Sequence, residues 1–202
     1  DQGGTWKEVM ELDHLEGLID LLISKPLEHQ PGERHTYGLS TAVLGHAIEK
    51  HAGQSLDVFF RERIFEPLDM HRTQFHLAPD DRRQFQPLFV GQGGKFRIGT
   101  PKEDELYYLP GSRLLLGGEG LVSTIEDYGR FCQLLLNAGS TQRGRQIISR
   151  ETLNLMLKDQ LGSISGFGGR ESSHVLGFGF HVLKNTEKDL TGSPAGIFGW
   201  GG

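Results

Sequence analysis

Apolar residues recur at helical spacing in the first third of the chain. Residues 13–24 carry leucine and isoleucine three and four positions apart, which predicts an amphipathic helix that Asp13 caps and Glu16 supports from its first turn. The same periodicity predicts a second helix from Ser40 to Ala52, and Gly53 supplies a left-handed stop. The chain therefore begins with helices rather than with strands.

Helical periodicity continues to Pro67 and then weakens. A third helix is predicted from Ser55, with its apolar residues at helical spacing. Pro67 ends it, because proline disfavours helix at the residue before it. Short strands are predicted at residues 73–77, 88–90 and 95–98, with the glycine-rich run between the last two as a turn. This stretch therefore adds a little sheet to a helical region.

The last third of the chain changes from helix to strand. Ser123 or Thr124 is predicted to cap one helix, and Ser149 caps another. Alternating apolar residues predict a strand over residues 176–183, and a final strand is predicted over residues 196–200. Strands therefore gather toward the C-terminus.

This order of elements predicts an α+β fold, in which an antiparallel sheet packs against a helical cluster. It disfavours a βαβ repeat, because helices and strands do not alternate along the chain. We expect a single partial domain over residues 1–202. Its helical part is predicted at about residues 10–160 and its C-terminal sheet strands at about residues 174–202.

Composition narrows the range of functions. The 202 residues are 36% hydrophobic and 23% charged, which is typical of a globular domain. A net charge of −5 without a basic block disfavours nucleic-acid binding, and no apolar run is long enough to predict a membrane segment. The single cysteine, Cys132, leaves no partner for a disulfide within these residues, and its helical apolar surroundings predict a buried core thiol.

Tyr37 is the first candidate catalytic residue. It follows a turn formed by Pro31 and Gly32 and precedes the second predicted helix. A serine hydroxyl is a weak nucleophile at neutral pH and needs a base. Where histidine is absent, a tyrosine whose pKa is depressed by a lysine ammonium can move the proton. From local features alone, the commoner interpretation of Tyr37 is a half-buried aromatic that packs the turn onto the helix.

Two glycine-rich segments are further candidates. The chain ends on Trp200-Gly201-Gly202, which by itself predicts an aromatic strand end followed by a turn, and glycines allow a backbone to approach a ligand closely. Residues 117–121 have the sequence Gly-Gly-Glu-Gly-Leu and precede a helix. They lack the spacing of a nucleotide-binding loop, and no lysine follows them, so we interpret them as a packing and turn element.

In this order, the segments at Tyr37, residues 117–121 and Trp200 resemble the serine β-lactamase and penicillin-binding-protein-like hydrolases. They resemble most of all the carboxylesterases of family VIII type, which have a class C β-lactamase fold. The resemblance continues through residues 43–45, 53–56 and 60–68.

The resemblance implies a β-lactamase/transpeptidase-like fold and a mechanism. A serine attacks the substrate carbonyl, Tyr37 acts as general base and then as general acid, and water releases the acyl-enzyme. Trp200, Gly201 and Gly202 are implied to bind substrate from a strand that edges the site. A backbone N–H near Gly201 is implied to help hold the oxyanion.

The chain departs from the family pattern at three points. Leu39 stands where many relatives have an asparagine, and Trp200 stands where penicillin-recognising enzymes have a lysine, so β-lactam and peptide substrates are disfavoured. No lysine has a serine three positions before it, so these residues contain no Ser-x-x-Lys turn. We therefore expect a fragment, incomplete at both ends, that is inactive by itself, marginally stable and prone to associate.

The predicted function is hydrolysis of a small-molecule carboxylic ester, with the nucleophilic serine and its lysine upstream of this fragment. The alternatives are a D,D-peptidase or β-lactamase, and a catalytically inactive homologue that binds a ligand or protein on the same fold. Neither a metal nor a cofactor is predicted, because the nine histidines show no ligand spacing such as His-Glu-x-x-His. The compartment, cytoplasmic or periplasmic, and the oligomeric state stay open.

Overall fold

The chain divides into two compact units. The first unit comprises Asp1–Lys25 and Leu39–Arg130, and the second comprises Pro26–Gly38 and Phe131–Gly202. Tyr37 and Trp200 both belong to the second unit. The structure, a computed structural model, describes residues 8–9, 11–77, 79–99, 114–164 and 172–201.

Two helices build one core of the first unit. Helix α1 spans Leu15–Ile23 and helix α2 spans Ser40–Ala52. Their apolar faces bury a common cluster, because leucines recur on one side of α1 and small residues let α2 approach. The cluster contains Leu15, Leu18 and Ala42, together with Val9, Leu114 and Leu116.

Only one of the two predicted ends of these helices is confirmed. Helix α1 begins at Leu15 with the extended residue His14 as its N-cap, and no side chain caps it. This one-residue shift moves Glu16 out of the position that a capping box needs, so the predicted box with Asp13 does not form. The predicted stop of α2 is confirmed, since Gly53 is left-handed with φ of 67°.

The third predicted helix changes its winding along its length. It is an α-helix, α3, over Leu56–Phe60, a π-helical turn over Arg61–Phe65 and a 3₁₀ turn over Glu66–Leu68. Asp69 then closes it in the left-handed conformation with φ of 57°. The helical prediction over residues 55–67 is correct in extent, but local sequence gives no signal for the π turn.

A short hairpin follows in the same unit. A four-residue helix, α4, spans Pro79–Arg82, and strands β1 (Phe89–Gln92) and β2 (Lys95–Ile98) pair antiparallel around a glycine turn. These two strands confirm the prediction to within two residues. The predicted strand at residues 73–77 is instead a single bridge between Gln74 and Val122.

The two remaining helices both begin with a side-chain cap. Helix α5 spans Ile125–Leu136, and Thr124 Oγ1 accepts a hydrogen bond from the Asp127 N–H at 3.2 Å. Helix α6 spans Arg150–Met156, and the Ser149 side chain accepts from a backbone N–H of its first turn. Both predicted caps are therefore confirmed, because Ser and Thr satisfy N–H groups that a helix leaves unpaired.

The second unit contains a three-stranded antiparallel sheet in the order β3-β4-β5. Strand β3 is His174–Leu176, β4 is His181–Leu183 and β5 is Phe198–Gly199. A 3₁₀ turn at Thr186–Lys188 lies between β4 and β5. The helices and antiparallel sheets confirm the predicted α+β class.

The single strand predicted over residues 176–183 is wrong. The chain turns back there, so that β3 and β4 form a hairpin. The Gly177 N–H donates to the Phe180 carbonyl oxygen at 2.8 Å, and Gly179 is left-handed with φ of 78°. Alternating Phe and Gly imitate strand periodicity, but the glycines serve the turn. Among the described residues, no helix is long and apolar enough to cross a membrane.

Candidate active site

A tight turn in the second unit leads to Tyr37. Gly32 has φ of 88°, a left-handed conformation that glycine adopts without strain. The Glu33 N–H donates to the Gln30 carbonyl oxygen at 3.2 Å, and the Gln30 N–H donates to the Glu33 carboxylate at 3.0 Å. These reciprocal bonds close the turn and define the path of the backbone toward Tyr37.

A side-chain hydrogen bond holds the residue immediately before Tyr37. Thr36 Oγ1 lies 2.9 Å from Nε2 of His29, and Nδ1 of His29 lies 3.0 Å from the Gln30 carbonyl oxygen. Because a carbonyl oxygen only accepts, Nδ1 carries the proton, and in the neutral ring Nε2 accepts from the Thr36 hydroxyl. His29 therefore connects the two sides of the turn that precedes Tyr37.

The structure brings Tyr37 and Trp200 together. Their ring centroids lie 6.2 Å apart and their planes are 16° from parallel, which is an offset stack. Stacked pairs of this kind contribute about 0.5–1.5 kcal/mol beyond the area they bury. Tyr37 is 72% exposed and Trp200 is 44% exposed, so the pair forms an accessible aromatic wall on the second unit.

Trp200 directly follows an edge strand. Strand β5 pairs with β4 on one side and forms the outer edge of the sheet among the described residues. Gly201 is exposed, and a Cβ added to it would meet open space. Gly202, the last predicted site residue, lies outside the described residues. An edge strand presents backbone N–H and C=O groups that a ligand can bond.

His181 is a site neighbour that the sequence did not reveal. It lies on β4 directly across from Gly199, and its ring centroid is 4.2 Å from that of Trp200, with the planes at 54°. Burial lowers the pKa of His181 from its ordinary value of 6.5, and repulsion from His174 lowers it further. His181 is therefore mainly neutral at pH 7. Only the register of β4 and β5 could have shown that it lies beside Trp200.

Residues 117–121 lie in the first unit and pack against helix α2. A Cβ added to Gly117 would clash with the Thr41 carbonyl oxygen, and one added to Gly118 would clash with the Thr41 hydroxyl. A Cβ on Gly45 would in turn come within 3.3 Å of the Gly117 backbone. This close approach confirms the packing role predicted for the segment.

Other candidate sites do not coincide with the predicted residues. A cleft of about 310 Å³ in the first unit contains none of them; its lining residues include Arg61, Phe65, Phe75 and His76. Within the described ranges, no three His, Cys, Asp or Glu side chains stand close enough together to hold a metal ion. That no metal or cofactor is needed stays a prediction.

The fold and sequence place the chain in a class of hydrolases. Its helices and antiparallel sheets match the β-lactamase/transpeptidase-like fold. The model of the Beta-lactamase family matches residues 2–202. The chain therefore belongs to the β-lactamase family, whose members are hydrolases.

Two relatives illustrate the range of the family. An uncharacterized protein of Mycobacterium tuberculosis is 33% identical over 144 residues, which cover 69% of this chain and 34% of that protein. Lovastatin esterase of Penicillium rubens is 31% identical over 124 residues, which cover 59% of this chain and 30% of that enzyme. The chain thus spans about a third of the length of these relatives.

A solved structure supports the same fold. EstCE1, a hydrolase with promiscuous acyltransferase activity, aligns with a TM-score of 0.67 and 23% identity. The alignment covers 88% of this chain and 49% of EstCE1. At this level of identity the likeness shows the fold and not the reaction.

Proposed function

We propose that these residues form part of a serine hydrolase that cleaves carboxylic esters through an acyl-enzyme. The nucleophilic serine and its lysine belong to a Ser-x-x-Lys turn outside the 202 residues. Tyr37 is the general base and acid, and Trp200 with Gly201 and Gly202 contacts the substrate. The observation that carries the proposal is the accessible stack of Tyr37 on Trp200 beside the edge of the sheet.

The proposed mechanism moves one proton back and forth. The serine oxygen attacks the ester carbonyl carbon while its proton passes to the phenolic oxygen of Tyr37, which acts with the lysine as general base. Tyr37 then returns that proton to the departing alkoxide as the carbon–oxygen bond breaks. Water attacks the acyl-enzyme, giving its proton to Tyr37, and the serine recovers a proton as the carboxylic acid leaves. Backbone N–H groups near Gly201 stabilise the oxyanion.

The chemistry beside Tyr37 favours an ester over a β-lactam or peptide. Leu39 packs against the apolar cluster of α1 and α2, so this position offers a substrate amide no polar partner. Trp200 carries no positive charge with which to bind a substrate carboxylate. The similarity to lovastatin esterase points the same way.

Steady-state kinetics of the complete protein that carries these residues test the proposal. We expect turnover of p-nitrophenyl butyrate, little cleavage of nitrocefin, and a loss of about 10²- to 10⁴-fold in kcat/KM for Tyr37→Phe, because the substitution removes only the proton-transferring hydroxyl. Tyr128→Phe is the matched control. It makes the same chemical change on a tyrosine of the first unit and should leave the rate near that of the wild type.

Three results would contradict the proposal. Equal losses of kcat/KM in Tyr37→Phe and Tyr128→Phe would show that Tyr37 is not the general base. Nitrocefin cleavage that exceeds ester turnover would show that the protein is a β-lactamase rather than an esterase. An absence of both activities, in a protein that lacks a Ser-x-x-Lys turn, would favour a binding homologue.

A further inference from the structure

Two rings of the second unit contact the Trp200 indole. The ring centroid of Trp200 lies 6.2 Å from that of Tyr37 and 4.2 Å from that of His181. The contact with Tyr37 is nearly parallel, whereas the contact with His181 is tilted by 54°. The indole is thus in contact with both rings.

His181 and Trp200 are not equally well anchored. His181 sits on β4 next to Val182 and Leu183, which are 2% and 0% exposed, so its backbone belongs to the buried part of the sheet. Trp200 follows the two-residue strand β5 and is the more exposed partner. Its orientation therefore depends on the rings that touch it.

The register leaves room for this contact. The residue directly across from His181 is Gly199, which has no side chain to cover the imidazole. The contact with the imidazole comes instead from the indole of Trp200, the next residue along the chain. A histidine opposite a glycine, next to a tryptophan, is an arrangement that only the β4–β5 pairing creates.

We propose that His181 is a positioning residue of the site, whose imidazole ring holds the Trp200 indole in the orientation that stacks on Tyr37. The proposal rests on the proposed function only where it makes Trp200 a substrate contact. The proposed role of His181 acts through Trp200, so His181 is a positioning residue and not a catalytic residue.

Protonation of His181 should loosen the arrangement. Burial and the nearby His174 on β3 disfavour the imidazolium and lower the pKa of His181 below 6.5. Strand β5 contributes no ionisable group to the surroundings of His181. Asp189 interacts electrostatically with His174. Because the folded pKa is depressed, the stabilisation is present above pH 6.5 and is lost as the pH falls through the lower folded value.

Fluorine NMR tests the contact without requiring activity. The complete protein is labelled with 5-fluorotryptophan, and the Trp200 signal is assigned by its loss in Trp200→Phe. We expect that signal to titrate with a midpoint below pH 6.5, and to become independent of pH in His181→Phe, which keeps a ring but cannot ionise. In the matched control His174→Ala the titration should persist with a higher midpoint. A Trp200 titration that survives in His181→Phe would overturn the proposal.

Ester kinetics then separate positioning from the chemical step. For His181→Ala we expect KM to rise about 3- to 10-fold with little change in kcat, the effect of losing one ring contact. In the wild type we also expect KM to rise as the pH falls below 6.5. His181→Phe should restore the wild-type KM and remove this dependence on pH. An unchanged KM in a folded His181→Ala would refute the positioning role. If the protein cleaves no ester at all, the proposed function fails, and the fluorine experiment still decides the contact.

Discussion

Asp127 shows how a single residue stabilises the first unit. Asp127 is only 3% exposed, and its side chain accepts hydrogen bonds from the Arg72 N–H at 2.8 Å and from the Thr73 hydroxyl at 3.1 Å. Arg130, one turn further along α5, neutralises its charge at 2.6 Å. The carboxylate thereby fixes the start of α5 to the segment that precedes the Gln74 bridge.

We predict that Asp127→Ala destabilises the protein by about 2–3 kcal/mol, because it leaves buried donors without an acceptor. The matched control is Asp80→Ala. Asp80 also pairs with an arginine three residues away, but its side chain is 88% exposed, and such surface pairs are worth at most about 1 kcal/mol. Urea unfolding of both variants measures the difference, and equal effects would show that the Asp127 network adds no stability.

At the scale of elements, α2 and residues 117–121 depend on glycine for their approach. Gly117 faces the Thr41 carbonyl oxygen of α2 so closely that no Cβ fits. This contact explains why a helix with only modest apolar character is held in the first unit. It also indicates that the glycines of residues 117–121 serve close packing rather than ligand binding.

Gly117→Ala should therefore destabilise the protein by about 1–3 kcal/mol, since the new methyl group forces the backbones apart. Gly129→Ala is the matched control with the opposite sign. Gly129 lies inside α5 with nothing within contact distance of an added Cβ, so alanine should stabilise by about 0.5–1 kcal/mol. Thermal denaturation that shifts both variants in the same direction would contradict the packing argument.

Sequence predicted elements well where a local signal was enough. The sequence predicts the Ser149 cap and the Gly53 stop correctly, because a side chain or a left-handed residue satisfies the helix end at each of them. It does not predict the turn at Gly177–Phe180, because Phe and Gly alternate there with the two-residue period of a strand. There the decisive contact is distant: Phe178 donates its N–H to the Met156 carbonyl oxygen at 2.8 Å.

The candidate site was only partly predictable for the same reason. Tyr37 and Trp200 were singled out by family resemblance, and the structure brings their rings into contact. His181 carries no sequence signal of its own, since its place beside Trp200 follows from the register of two short strands. Patterns along the chain name the elements, but pairing between elements decides which side chains meet.

At the scale of the whole molecule, each unit leaves large apolar side chains exposed. In the first unit Phe96 is 80% exposed and Ile125 is 83% exposed, and in the second unit Leu136 is 77% exposed and Leu190 is fully exposed. Exposed apolar surface of this kind drives association in water. The 202-residue chain by itself should thus self-associate.

Analytical ultracentrifugation of that chain measures this prediction. We expect a concentration-dependent increase in sedimentation coefficient, and less of it in a Phe96→Ser/Ile125→Ser variant. The matched control, Arg83→Ser, changes an exposed charged side chain of the first unit and should leave association unaltered. A compact monomer over the whole concentration range would contradict the expectation.

The proposed role of Tyr37 is to serve a serine nucleophile that lies outside these residues. Its most direct test is mass spectrometry of the complete protein, quenched within one turnover of p-nitrophenyl butyrate and mapped by peptide. We expect one butyryl group on the serine of a Ser-x-x-Lys turn, acylation at least about 100-fold slower in Tyr37→Phe, and no acylation of the 202-residue chain alone. Ester turnover without an acylated serine, or equally fast acylation in Tyr37→Phe, would contradict it.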